Sequence, residues 1–329
     1  MVQSTMVGSD LPPVVNDAEE LAQWVEEHFR EHLPEPTSFP SMATRIMDLA
    51  EHPDVDVTRL SHLIERDPGV CTAVLKLANS ALNRRSTPVN SVRQAVTLLG
   101  LKKVANAAVG VACRALFDME ARIEHDLFPG WWERLFHCAM TEAFCCSFVA
   151  MAAARKASDG IFLAGLLHDV GKSLALRSLA ALVIGGKLAL PDNQTIESVL
   201  SATRANIGAL ALGSFNLPRS LALVCLHQDE PALGGDEQWI DCHIVRVVAG
   251  INELRLGREP RADLLERVLG SARALQMEQT ALLGLASQLS DHSAQVQALF
   301  STNDGASDED FPSTLNRILQ QQGNPSTNS

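Results

Sequence analysis

AGLLHDVGKSLAL, residues 164–176, sets a histidine and an aspartate side by side, His168 and Asp169, inside an otherwise apolar segment. An isolated buried carboxylate is costly and survives only when it is paired, hydrogen-bonded or bound to a metal. Asp169 therefore needs a partner, and the identity of that partner separates a catalytic centre from a scaffold. On one helix, neighbouring residues point about 100° apart, so both side chains can reach one ion lying beside it. Imidazole plus carboxylate suits a divalent transition metal. Two ligands do not hold a catalytic metal, because at least three are normally needed. His137, flanked by Phe136 and Cys138 on the preceding long helix, is the third candidate.

Outward from this stretch the chain reads helical nearly throughout, rich in Leu and Ala and without tyrosine. Asp56 suits the N-cap of a helix carrying Leu60, Leu63 and Ile64 at helical spacing. Asp67-Pro68 restarts the chain as N-cap and first helical turn. The helix that follows is predicted to bury Val70, Val74, Leu77 and Ala78, and the next puts Val92, Ala95, Val96 and Leu99 on one face, stopped at Gly100. Residues 17–32 form an acidic amphipathic helix with Leu21, Trp24, Val25 and Phe29 as its stripe, and 131–155 a long helix. The predicted fold is all-α: a multi-helix bundle with an N-terminal helical subdomain packed on a second helical core. Residues 1–16 read as loose, and the tail from Ser301 as mostly disordered apart from a short helix near Leu315.

Apolar residues make up 46% and charged residues 20%, enough for a full core in about two domains. The net charge of −12 has the wrong sign for a protein that mainly binds nucleic-acid phosphates. Seven cysteines without a CxxC pair argue against a disulfide framework. The N-terminus lacks a basic start followed by an apolar run, so no signal peptide is predicted. No apolar stretch approaches the roughly 20 residues that span a bilayer; the best candidate, Leu174–Leu190, is broken by Arg177, Gly185, Gly186 and Lys187. A reducing cytoplasm is predicted.

Several blocks together resemble a family. LLHDVGK is the signature of the HD-domain superfamily of metal-dependent phosphohydrolases and their relatives, and residues 33–256 resemble its HDOD branch. LPEPTSFPSMATRIMDL is similar to the opening turn and helix of that domain. IERDPGVCTAVLKLANSA, SVRQAVTLLGLKKV, WWERLFHCAM, FLAGLLHDVGK and FNLPRSLALVCLHQDEP are similar to its later blocks in order. The resemblance implies residues 1–32 as an extension with one amphipathic helix. It divides 33–256 into an N-terminal subdomain (33–125) and an HD-like subdomain (126–256), followed by C-terminal helices (257–300) and a mostly flexible tail (301–329).

The resemblance also implies a ligand set of one histidine, the HD pair and a later aspartate, with a metal that activates water on a phosphoester. His137, His168 and Asp169 match. The later aspartate falls on Gly250, a further histidine falls on Arg204, and of a His-His pair only His227 stands, followed by Gln228. Asp241 and His243 lie one to three turns from Gly250 as strained substitutes. Arg204 is placed to replace the ion and neutralise Asp169, a position that His137 offers as well. Lys172, three residues on, shares the face of Asp169 and suits a helical ion pair with it. The possible relic metal ligands are thus His137, His168 and Asp169, with Arg204, Lys172 and His227 lining the site or replacing the metal.

With a ligand lost and a cation gained, no catalytic residue and no cofactor are assigned; one divalent transition metal at the relic site is the alternative. HDOD domains are regarded as signalling or scaffolding modules. The predicted function is a non-catalytic regulatory module of bacterial type that binds signalling proteins, with no nucleic-acid or membrane partner. The alternatives are a metal-dependent phosphohydrolase of nucleotides or cyclic dinucleotides, and a nucleotide sensor that binds in the relic cleft.

Overall fold

The computed structural model describes residues 17–35, 39–51, 56–80, 82–83, 87–118, 122–153, 156–257, 262–300 and 311–322. Among these no strand forms. In chain order the helices are α1 Ala18–Glu31, α2 Ser41–Glu51, α3 Val57–Glu65, α4 Pro68–Ala78, α5 Val92–Leu99, α6 Leu101–Ala112, α7 Arg122–Leu127 and α8 Trp131–Ala152. They continue with α9 Ile161–Leu167, α10 Val170–Ile184, α11 Asn193–Ser214, α12 Arg219–His227, α13 Ile240–Arg255, α14 Ala262–Ala274, α15 Gln279–Phe300 and α16 Phe311–Gln322.

Local chemistry sets many of the boundaries. Asp56 accepts from Thr58 N at 2.9 Å to open α3. Asp67 accepts from Gly69 N and Val70 N to open α4, with Pro68 in the first turn. Gly100, at φ +86°, closes α5 and starts α6. Asn79, just past α4, donates to Leu75 O and Val89 O and accepts from Val89 N, tying that helix end to the next loop. The reading of residues 1–16 as loose falls outside the described residues, as does that of 301–310 and 323–329 as flexible. The helix foreseen near Leu315 is α16, whose Phe311 and Leu315 are buried.

Helices α2–α6 pack on one another as an N-terminal lobe, while α8–α13 form the HD-like core. The acidic helix α1 lies across α10 and α11 of that core. It buries Leu21, Val25 and Phe29 there; Trp24 is half-buried. Helix α15 packs along α8 and also reaches α4, so it bridges the two lobes, and Lys76 Nζ of α4 donates to Leu299 O at its C-terminal end. Helix α16 packs on α15.

Helix α8 corrects one expectation. It is long and apolar enough to cross a membrane by length and composition, yet it is mostly buried inside the fold. Its apolar character is spread around Glu133, Arg134, His137 and Glu142, which hid it from a search for an unbroken apolar run. Trp131 and Trp132, at its start, are buried. All seven cysteines are free, five of them buried and Cys71 and Cys138 half-buried.

Candidate functional site

His168 and Asp169 do not lie within one helix. His168 ends α9 and Asp169, at φ −111° and ψ 12°, starts α10, so the pair occupies the break between them. Gly171 explains why α11 comes so close. A β-carbon there would stand 1.9 Å from Arg204 O and 2.7 Å from Gly208 N, so only glycine allows this crossing. The crossing carries Arg204 alongside Asp169.

The partners of Asp169 follow. Arg204 Nη1 donates to Asp169 Oδ1 and Lys172 Nζ donates to Oδ2. Arg204 Nη2 donates at the same time to Asp229, making a bridge between two carboxylates. Gln228 Nε2 donates to His168 O at 3.0 Å and approaches Asp169 Oδ1 at 3.4 Å. Burial raises the Asp169 pKa, but the charges of Arg204 and Lys172 outweigh it and hold the carboxyl well below the usual range. Burial also lowers the pKa of Arg204, and Asp169 and Asp229 more than restore it.

His168 is almost fully buried. Its Nδ1 bonds Gly165 O at 2.9 Å, which fixes the proton on that nitrogen. Among the described residues Nε2 has no hydrogen-bond partner, and it stands 3.4 Å from Glu142 Oε2 and 4.0 Å from Asp169 Oδ2. Glu142, on α8, accepts from Asn252 Nδ2 at 2.7 Å, and Asn252 accepts from Arg255 Nε at 2.8 Å. Burial raises the Glu142 pKa, opposed in part by His168.

Two sequence candidates leave the site. His137 faces elsewhere, its Nε2 3.0 Å from Ser293 O of α15. The side of α8 that looks at the pair carries Arg134, Cys138 and Glu142 at four-residue spacing, and His137 is one residue, or 100°, off it. His227 is excluded for the same reason. Its Nδ1 bonds Glu230 Oε1 at 2.6 Å and its ring packs edge-on against Trp239, while the next residue, Gln228, faces inward. Asp241 is taken by Ser158 N and Oγ, at 3.0 and 2.5 Å. His243 is taken by Ser271 Oγ and Gly234 O, both at 3.0 Å. Glu142 and Gln228 are the residues missed; the four-residue spacing from Arg134 to Glu142 was the available signal for the first.

Gly250 has a structural reason. A β-carbon there would meet Val268 Cγ2 at 2.3 Å, so glycine admits α14 against α13. Helix α14 thereby walls a cleft of about 870 Å³ that opens on Asp169, Lys172 and Arg204.

These residues do not fit a metal ion. Both Asp169 oxygens are engaged by cations, His137 points away, and position 250 has no side chain. The unpartnered Nε2 of His168 is a suitable donor, but an ion bound there would lie beside two fixed positive charges. Among the described residues no group of three or more His, Cys, Asp or Glu is arranged to hold a metal.

An all-helical HD-like core with an HD pair at the break between two helices defines a class, and the family comparison specifies it. The HDOD domain model matches residues 37–231, and the chain belongs to the HDOD family. An HDOD domain protein of unknown function from Geobacter sulfurreducens is 22% identical with a TM-score of 0.62, covering 87% of this chain and 100% of its own. A protein from Shewanella amazonensis SB2B, provisionally described as a metal-dependent phosphohydrolase, is 20% identical with a TM-score of 0.62, covering 85% and 98%. One from Marinobacter aquaeolei VT8, provisionally described as a signal transduction protein, is 20% identical with a TM-score of 0.58, covering 88% and 68%. At such identities the likeness is one of fold. No curated protein matches the chain significantly.

Proposed function

We propose that this chain is a non-catalytic regulatory module that works in the cytoplasm by binding signalling proteins. One observation carries the reading: Lys172 and Arg204 engage both oxygens of the HD aspartate, so the position where relatives of the superfamily place a metal holds protein cations. A water poised for attack needs a metal with an open position, and among the described residues no group of three or more His, Cys, Asp or Glu is arranged to hold one. The signalling description of one structural neighbour supports the same direction. The −12 charge disfavours a nucleic-acid partner.

Elemental analysis of the purified chain, paired with a phosphodiester assay under added manganese, tests this. The expected result is far less than one transition-metal ion per chain, no turnover, and neither value changed in His168→Ala. Stoichiometric metal and hydrolysis, both abolished by His168→Ala and by Asp169→Ala, would overturn it.

A further inference from the structure

The cleft contains a second feature, independent of the HD pair and built from residues beyond the family-matched 37–231. Arg246 of α13 is 5% exposed and lines the cleft. Its Nε donates to Gln228 O at 2.8 Å, and its Nη2 to His227 O and Glu230 O at 2.9 and 2.8 Å. Nη1 has no acceptor among the described residues, and no carboxylate bonds this guanidinium. Arg267 of α14 lines the same cleft, with one carboxylate contact to the largely exposed Asp263 at 3.3 Å.

The proximity of the two arginines is built in. Arg246 and Gly250 lie one turn apart on α13, hence on one face. Val268 of α14 seats on Gly250, and Arg267 of the same helix lines the cleft together with Arg246 and Gly250. Burial lowers the pKa of Arg246 and the charge of Arg267 lowers it further, a repulsion that Asp229 and Glu230 offset only in part. Fixed like charges in a concave site are what an anion relieves.

Among the acids lining the cleft, Asp263 contacts Arg267 at 3.3 Å from a largely exposed position, and none is hydrogen-bonded to Arg246 among the described residues. Arg204 engages Asp169 and Asp229, and Arg134 pairs with Glu197 at 3.5 Å. Glu142 is held by Asn252, and Glu253 is engaged as well. Arg246 rests on neutral carbonyls at the end of α12, a partial compensation for a buried cation. The remaining walls include Trp131, Leu135, Leu200, Leu256 and Leu264. The volume lies within the roughly 300–1,000 Å³ typical of small-molecule sites.

We propose that the cleft binds a small molecule carrying an oxyanion, phosphate or carboxylate, on a flat apolar body, with the oxyanion between Arg246 and Arg267. Forked guanidinium donors match either group. The site does not depend on the non-catalytic reading above, since neither arginine touches Asp169.

Isothermal titration of the full chain, in buffer free of phosphate and sulfate, tests the site with AMP, benzoate and adenosine. AMP or benzoate is expected to bind saturably, the two probes separating phosphate from carboxylate, and adenosine to bind at least tenfold more weakly. Arg267→Gln should weaken the binding at least tenfold, and Arg30→Gln on α1, outside the lining of the cleft, should leave it unchanged. Arg246→Gln should do the same as Arg267→Gln; because Arg246 also caps α12, the Arg267 variant decides if the other fails to fold. Three results would overturn the site: no saturable anion binding below about 10 mM, adenosine binding as well as AMP, or Arg267→Gln binding like the parent. Conversion of AMP to adenosine during the titration would instead sink the non-catalytic reading and leave this site standing.

Discussion

Asp169 is the residue on which the HD-like core depends. Removing one partner of a buried ion pair leaves the other charge uncompensated, at a cost of about 3–5 kcal/mol. Lys172 remains when Arg204 is truncated, so Arg204→Met should lose stability near the lower end, about 3 kcal/mol. Urea unfolding measures this, and a loss below about 1 kcal/mol would mean that Lys172 and water suffice. The family resemblance sets a cation, Arg204, at a ligand position and so offered it, beside His137, as a partner of Asp169; the contact found is with Arg204. The two histidines could not be placed that way. His137 and His227 each miss the site by one residue, which on a helix is a rotation of about 100°. Residue type suggested the ligand, but helix phase decided the direction, and the phase is set by packing against α15 and Trp239.

Elements announced themselves through their ends. Asp56, Asp67 and Gly100 mark boundaries that need only local hydrogen bonds or a left-handed backbone. What faced what was less visible, since an amphipathic stripe states that a face is buried and not against which neighbour. Gly250 illustrates the gap: the family resemblance implies an aspartate there, and only the packing shows Val268 seated on the glycine. Helix α15 carries a prediction of its own. His292 is buried on it, stacked on Phe144 with ring centroids 5.4 Å apart, and its Nδ1 lies 3.3 Å from Gln295 Oε1. Burial, aided by Lys103, lowers its pKa to about 4. Between about pH 6.5 and 4 the unfolded chain therefore binds a proton that the native chain refuses. Stability is fully present above pH 6.5 and falls by roughly 3 kcal/mol as pH drops to 4. Unfolding curves of the parent and of His292→Gln across that window check the slope. The variant should lose this component, and an identical slope would reject it.

At the scale of the whole molecule, α1 and α15 decide the architecture. Each comes from outside the centre of the chain and closes a face of it: α1 over α10 and α11, α15 over α8 with a reach to α4. The order of the helices along the chain was legible from the order of the sequence blocks. The bridging was not, because sequence distance carries no record of a contact such as that between Lys76 and Leu299. With both lobes sharing α15, the sulfur atoms become reporters of the molecule's opening. Burial pushes the Cys113 and Cys242 thiols up to about 12, so at pH 8 about one in ten thousand is the reactive thiolate even before access is considered. Iodoacetamide should therefore modify Cys113, Cys145, Cys146, Cys225 and Cys242 together, at a rate that follows opening rather than reagent chemistry. Mass spectra should show chains alkylated at all five or at none of them, and a ladder of partial products would mean that the lobes breathe separately.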